Sequence, residues 1–347
     1  MNNIDPILRE DLAHIAARFP HWEQLRGKSV LITGATGLVG SMLVRALCAA
    51  PVPIHVIAHV RNEQKARAMF GTLPISYAVG DVTAPIEYEG AVDYILHTAS
   101  VTASKTFVTQ PVQTLMTAID GTKNLLEFAR QKSVSSMVYV SSMEAFGITD
   151  PNLERVHEND LGYIDILSVR SSYSEGKRIC ECLCAAYAAQ YGVNVRIARL
   201  AQPFGAGVSI ADGRVFAQFT KSCLNGTDIV LHTAGKSMGN YCYTADAVRG
   251  LLTVLLGGEN TNAYTVVNES TSMPIRAVAQ LVSDTLTEGK TRIIFDIPES
   301  ALTYGYAPDV TMRLSGDKLM ALGWKPEVDL PEMFRRLAAS FRAQEGA

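Results

Sequence analysis

The chain has no run of about 18 consecutive apolar residues, the length a membrane-spanning helix needs, although 48% of its 347 residues are hydrophobic. It has no basic excess either. The formal net charge is −3 and the sequence pI about 6.2, so nothing calls for nucleic acid or an acidic membrane as partner. The opening residues MNNIDPILREDLAHIAARF lack a basic start followed by an apolar core. No secretory leader is therefore expected, and the cytoplasm is the expected location. Internal repeats and low-complexity tracts are missing. Charged residues at 19% are ordinary for a globular protein and argue against wholesale disorder. Zinc-finger spacing of Cys and His is missing too. Of the six cysteines, Cys180, Cys182 and Cys184 lie two apart in a helical pattern, so neighbours in the series point in different directions. Reduced thiols are expected rather than a metal site or disulfides.

What is present is an alternation. Apolar positions Ile4, Ile7, Leu8, Leu12, Ile15, Ala16 and Phe19 form a helical stripe. From Lys28 onward, short continuous apolar runs alternate with helical patterns. The runs are Ser29–Thr33, Ile54–Ala58, Ile75–Val79, Tyr94–Thr98, Met137–Val140 and Val195–Arg199; helices are expected at Ser41–Ala50, after Arg61, at 111–131 and at 172–191. Continuous apolar strands separated by helices imply a parallel sheet covered on both faces. The expected architecture is an α/β, Rossmann-type doubly wound sheet with a smaller C-terminal substrate-binding region. Its parts are a helical extension (1–26), a dinucleotide-binding domain carrying the catalytic residues (27–205), and a mostly substrate-binding region (206–347) with some segments returning to the main domain.

Between the first strand and first helix runs Thr33-Gly34-Ala-Thr36-Gly37-Leu38-Val39-Gly40. Gly34 suits a tight turn, Gly37 lets the backbone approach a pyrophosphate, and Gly40 lets the helix pack near the strand. A pyrophosphate would sit on the free N–H groups of the helix N-terminus. The second strand ends Ala58-His-Val-Arg61-Asn62, without the acid that usually binds the adenosine ribose of NAD. Arg61 could pair with the 2′-phosphate of NADP, or stack on adenine or face solvent. Asp81 could accept from the adenine amine or simply stabilise its turn.

Tyr173 and Lys177 stand four apart at a helix start, on one face. A phenol ionises near pH 10, so acid–base work at neutral pH needs a nearby cation, which the ammonium of Lys177 can supply. Ser142 ends the fifth strand, 31 residues before Tyr173, at the carboxyl edge where α/β proteins bind ligands. Its hydroxyl could bridge a substrate oxygen and the tyrosine.

These segments, together with Gly80-Asp-Val82, His97-Thr98-Ala99-Ser100, Gly121-Thr-Lys-Asn-Leu-Leu126, Tyr173-Ser-Glu-Gly-Lys-Arg178 and Leu322-Gly-Trp-Lys-Pro326, resemble the extended short-chain dehydrogenases/reductases. Within them the chain is most similar to the nucleotide-sugar epimerase, dehydratase and decarboxylase group. The resemblance runs from about residue 28 to 340. It implies an enzyme with a nicotinamide cofactor, NAD by family and NADP if Arg61 decides. It adds Thr36, Leu38, Val39, Val82, Thr98, Ala99 and Ser100 to Gly34, Gly37, Gly40, Arg61, Asp81, Tyr173 and Lys177 as cofactor contacts. It implies transient oxidation of a nucleotide-sugar at C4, with Tyr173 taking the hydroxyl proton and Ser142 holding the oxygen, and a homodimer built on helices 111–131 and 172–191.

The position after the catalytic hydroxyl narrows the reaction. The 4,6-dehydratases carry Asp-Glu there; this chain has Met143-Glu144. A thioether cannot protonate a leaving hydroxyl, so dehydration is disfavoured. Ser142-Met-Glu144 and the Tyr173–Arg178 helix look closest to the UDP-glucuronate decarboxylase branch, with Glu144 as an additional acid–base or ring-positioning group. Gly239 stands where relatives often have a substrate-binding Arg, and Gln202 where they have Asn. Gln202 and Arg214 are the expected substrate contacts, with Lys236 and Arg313 as other sources of the missing charge. The competing reading is an NADPH-dependent reductase of a ketone or aldehyde.

Overall fold

The computed structural model of the chain describes residues 5–297 and 310–346; Ile4, counted in the N-terminal stripe, lies outside them. The first half runs α1 (Pro6–Arg18), β1 (Ser29–Thr33), α2 (Leu38–Cys48), β2 (His55–Val60), α3 (Glu63–Phe70), β3 (Ile75–Val79), β4 (Tyr94–His97), α4 (Ser104–Thr109), α5 (Pro111–Gln131) and β5 (Ser136–Ser142). A single 3-10 turn, Met143–Phe146, follows β5. Then come α6 (Ser171–Tyr191), β6 (Val195–Leu200), β7 (Gln202–Phe204), α7 (Val215–Asn225), β8 (Ile229–Leu231), β9 (Met238–Tyr243) and α8 (Thr244–Gly257). The chain continues with β10 (Ala263–Val266), β11 (Asn268–Pro274), α9 (Ile275–Thr287), β12 (Ile293–Phe295), α10 (Asp317–Met320) and α11 (Leu330–Glu345).

Seven parallel strands form the main sheet in the order β10-β6-β5-β4-β1-β2-β3. Their side chains alternate between two cores, as a pleated strand requires. Val30, Ile32, Val138, Val140 and Ala198 face one core, shared with α2, α8 and α11, while Leu31, Met137, Tyr139, Val195 and Ile197 face the other, shared with α5 and α6. Both faces are covered, which is why these strands read as unbroken apolar runs. Strand order reverses between β1 and β4, and that switch point opens a crevice at the carboxyl ends of the strands. Outside the main sheet lie a three-stranded sheet, β11-β9-β7, and a two-stranded one, β12-β8.

Two element boundaries differ from the sequence reading for a physical reason. The helix expected from Ser41 begins at Leu38, because Gly37 already acts as its N-cap. The helix after Arg61 begins at Glu63, where the Asn62 side chain accepts from Lys65 N at 2.9 Å. The N-terminal stripe packs as α1, with Leu12, Ile15 and Phe19 in the same core as β1 and α8. Asp11 of α1 is buried, accepts from the Tyr243 hydroxyl at 2.7 Å and pairs with Arg336 of α11 at 2.8 Å.

The late Gly-Trp-Lys-Pro segment also has a structural explanation. Trp324 Nε1 donates to the Asp246 carbonyl at 2.9 Å, and the Asp246 carboxylate accepts from Glu327 N and Val328 N at 2.9 and 3.0 Å. Segment and helix α8 are thereby locked together.

Candidate active site

Gly34 adopts φ +64°, the left-handed region that favours glycine, and a Cβ on it would stand 2.7 Å from Ala99 N. Gly40 faces the Gly34 carbonyl so closely that any Cβ would collide with it. Gly37 caps α2 with no side-chain hydrogen bond, leaving early N–H groups of the helix open toward the crevice. Thr36, Leu38 and Val39 lie with Gly34, Gly37 and Gly40 in this strand–turn–helix junction, where the sequence reading expects a pyrophosphate.

Along the crevice, Arg61 is 80% exposed in its side chain and lies 3.8 Å from the Asp81 carboxylate. Asp81 accepts from Thr83 N and Thr83 Oγ1 at 2.9 and 2.8 Å, bonds that hold its carboxyl below the usual range. It therefore does stabilise its turn, while its second oxygen faces Arg61. Val82 packs on Gly121, its carbonyl accepts from Asn124 Nδ2 at 3.0 Å, and Thr122 Oγ1 lies 3.4 Å from His97 Nε2. Those contacts tie the Gly121-Thr-Lys-Asn124 segment of α5 to Val82 and to His97 of β4.

Hydrogen bonds stitch the switch point. Thr98 Oγ1 donates to the Thr33 carbonyl at 2.6 Å, Ala99 N donates to Thr33 Oγ1 at 3.2 Å, and His97 Nδ1 lies 2.7 Å from the same hydroxyl. Burial pushes His97 down to about 3, so it is a neutral ring here. Ser100 turns its hydroxyl to the Val101 carbonyl at 3.2 Å.

Tyr173, Lys177, Ser142 and Glu144 come together at the carboxyl end of β5. Ser142 caps the turn after β5 by accepting from Glu144 N at 3.2 Å, and it lowers the Tyr173 phenol. Lys177 is buried, donates to the Val140 carbonyl at 2.9 Å and holds its Nζ 5.7 Å from the Tyr173 ring centroid. Burial pushes Tyr173 up to about 12, helped by the Glu144 charge and opposed by Ser142, Arg170 and Arg214. Burial likewise pushes Lys177 down to about 8.

Several participants were not found from the sequence. Arg170 grips both Glu144 oxygens, at 2.9 and 2.8 Å, and Ser174 Oγ donates to one of them at 3.1 Å. Phe107, from the short α4, stacks on Tyr173 with centroids 4.3 Å apart and planes 9° apart. Arg178 donates to the carbonyls of Ala145, Phe146 and Gly162, fixing the turn that carries Glu144. Arg199 pairs with Glu181 at 2.7 Å, and Glu181 accepts from Ser141 Oγ at 2.6 Å. Arg170 stands only three residues before Tyr173, which is the one signal that could have drawn attention to it.

On the substrate side the expected residues are dispersed. Gln202 is exposed at the start of β7. Arg214 precedes α7 and is held by Asp212 at 2.7 and 3.1 Å, yet its charge still lowers the Tyr173 phenol. Lys236 and Arg313 are exposed. At Gly239 a Cβ would stand 2.5 Å from the Tyr241 hydroxyl, which is buried. A side chain is missing there because Tyr241 occupies its space.

The model of the NAD dependent epimerase/dehydratase family matches residues 30–268. Among curated relatives, UDP-glucuronic acid decarboxylase 1 of Danio rerio is 31% identical, covering 88% of this chain and 70% of its own. UDP-glucuronic acid decarboxylase 5 of Arabidopsis thaliana is 28% identical, covering 91% of this chain and 90% of its own. Among solved structures, UDP-glucose 4-epimerase of Thermotoga maritima, crystallised with UDP-glucose, superposes with TM-score 0.78 at 20% identity, over 91% of this chain and 99% of that one. The dTDP-glucose 4,6-dehydratase of Streptomyces venezuelae, with NAD bound, gives 0.76 at 24%, over 92% and 98%. The two structures share the fold.

Proposed function

This chain belongs to the NAD dependent epimerase/dehydratase family, and on that premise we propose that it is a nucleotide-sugar decarboxylase acting on UDP-glucuronate or a close analogue with retained NAD. The observation that carries this over dehydration is Glu144: both its oxygens are taken by Arg170, and its neighbour is Met143 rather than an acid. Nothing at that position is set to protonate a leaving hydroxyl. Similarity to decarboxylases over about nine-tenths of the chain supports decarboxylation over epimerisation.

The strand–turn–helix junction fits NAD, since Gly34 and Gly40 leave room only for backbone and the start of α2 offers unpaired N–H groups. Gly34 to Gly40 would hold the pyrophosphate, Asp81 and Val82 the adenine, and Thr98 to Ser100 with Tyr173 and Lys177 the nicotinamide riboside. NAD held there would supply an acceptor for the sugar's C4 hydride and a store from which it is given back. Tyr173 takes the C4 hydroxyl proton while Ser142 holds the oxygen. A C4 ketone stands β to the C6 carboxylate, so the C5–C6 bond breaks and its electron pair flows into the C4 oxygen. CO2 leaves, and Ser142 and Tyr173 face the resulting enolate oxygen. Solvent water protonates C5, and at C4 the hydride comes back while Tyr173 returns its proton, which gives the UDP-pentose. Acid–base help of this kind contributes roughly 10²–10⁴-fold.

In this reading residues 27–205 bind cofactor and do the chemistry, most of 206–347, Arg214 included, binds substrate, and Gln202 adds a substrate contact from the end of the first region. The exposed apolar side chains Val112 and Met116 on α5 and Ile179 on α6 form the face of a homodimer. Incubation with UDP-glucuronate, followed by mass spectrometry, tests the proposal: the nucleotide-sugar should lose one CO2 without net cofactor consumption. A new isomer of unchanged mass would mean epimerisation. Stoichiometric oxidation of NADPH would instead support a reductase.

A further inference from the structure

Arg170 precedes α6 and is buried. Its guanidinium makes the two-pronged pair with Glu144, at 2.9 and 2.8 Å, a geometry that fixes a carboxylate in plane as well as in place. The same guanidinium lies 4.7 Å over the Phe107 ring, and Phe107 stacks on Tyr173 at 4.3 Å. One planar cation therefore touches the carboxylate on one side and, through a single ring, the acid–base tyrosine on the other. Ser174, one residue after Tyr173, completes the clamp by donating to Glu144 at 3.1 Å.

We propose that Arg170 is a positioning residue of the reaction: it clamps Glu144 as a fixed acceptor for the sugar and, through Phe107, braces the ring of Tyr173. This rests on the C4-oxidation chemistry put forward above, though not on the loss of CO2. The clamp leaves Glu144 acting as an acceptor of sugar hydroxyls rather than as a proton donor. It also balances charge. The groups facing Tyr173 are Glu144 from the turn after β5, Ser142 from β5, Arg170 and Lys177 from the α6 side, Arg214 from the start of α7, and the uncharged Phe107 from α4. Glu144 opposes the phenolate while Arg170 and Arg214 favour it. Without Arg170 the carboxylate would stand uncompensated beside the tyrosine.

The test compares the holoenzyme with its Arg170→Met, Arg170→Lys, Glu144→Gln and double Glu144→Gln/Arg170→Met variants. Turnover is followed on UDP-glucuronate, UDP-glucose and UDP-galactose, with melting temperatures and bound NAD measured alongside. Arg170→Met should lower kcat by about 10–100-fold with KM changed less than about threefold, and move the acid limb of the pH profile upward by about one unit. Arg170→Lys should return the limb toward its place but recover only part of kcat, because an ammonium lacks the fork. In the Glu144→Gln background, removing Arg170 should cost clearly less than in the parent. Equal losses in both backgrounds, an unmoved pH limb, or a kcat loss that disappears below the variant's melting transition would overturn the proposal. A parent enzyme that epimerises without releasing CO2 overturns only the decarboxylase assignment. A parent that oxidises none of the three sugars overturns both.

Discussion

At the scale of single residues, the site depends on groups held away from their ordinary ionisation. Tyr173 sits at about 12 and Lys177 at about 8, both because of burial. Replacing Tyr173 by Phe removes the proton carrier and keeps the ring on Phe107. Turnover should fall roughly 10²–10⁴-fold while NAD affinity, followed by fluorescence titration, stays near that of the parent. His97 gives a stability signature of its own. Its folded value is about 3, against about 6.5 in the unfolded chain. Because the unfolded state takes up the proton first, the contribution of His97 to stability is whole above about 6.5 and is lost as pH falls toward 3. Urea midpoints between pH 7 and 4.5 should therefore drop faster in the parent than in His97→Gln. Asp11 slopes the other way, from 3.8 to about 6, so the difference between parent and variant is the quantity to read. Tyr173, Lys177 and the three glycines were legible because their spacing is local, and Ser142 because it ends a strand at the carboxyl edge of the sheet. Arg170 and Phe107 were not, because they meet Glu144 and Tyr173 from 26 and 66 positions away (170 − 144, 173 − 107).

Helices and strands carry a different set of consequences. α5 and α6 were legible to within a residue, since each has a full 21-residue pattern with one apolar face toward the sheet. α4 was missed because six residues are too few to show a period. On the outer side of the α5–α6 pair, Val112 is 75% exposed and Met116 and Ile179 are each 42% exposed. A charge there should break the proposed homodimer: Ile179→Glu is expected to shift sedimentation from dimer to monomer at micromolar concentration, with the melting temperature of the monomer little changed. α1 is held mainly by its apolar stripe and by Asp11. Truncating Asp11→Ala leaves Arg336 and the Tyr243 hydroxyl without their shared acceptor. That should cost about 1–3 kcal/mol by urea unfolding and speed amide exchange in α1 ahead of the central strands.

For the whole molecule, the parallel sheet was readable because strands buried on both faces write themselves as apolar runs. The two smaller sheets were not. β8 and β12 are three residues each and pair across 64 positions, a distance no local pattern spans. β10 also escaped the reading, although it closes the main sheet beside β6. Cofactor choice belongs to this scale too, since ligand binding to the folded state alone raises stability. NAD at about 100 times its dissociation constant should add about 2.7 kcal/mol, seen as a higher melting temperature. NADP should add less, because Arg61 stands at the rim with the Asp81 carboxylate beside it. A larger shift with NADP would reverse the assignment.

The clasp between α1 and α11 also bears on how the chain is made. Arg336 is synthesised 325 positions after Asp11 (336 − 11). At roughly 5–20 residues per second, that interval is on the order of tens of seconds. Throughout it the stripe of Leu12, Ile15 and Phe19 has no α11 to lie against. Among the described helices α1 is made first and α11 last, so the clasp between them closes only after nearly all of the described chain has been made.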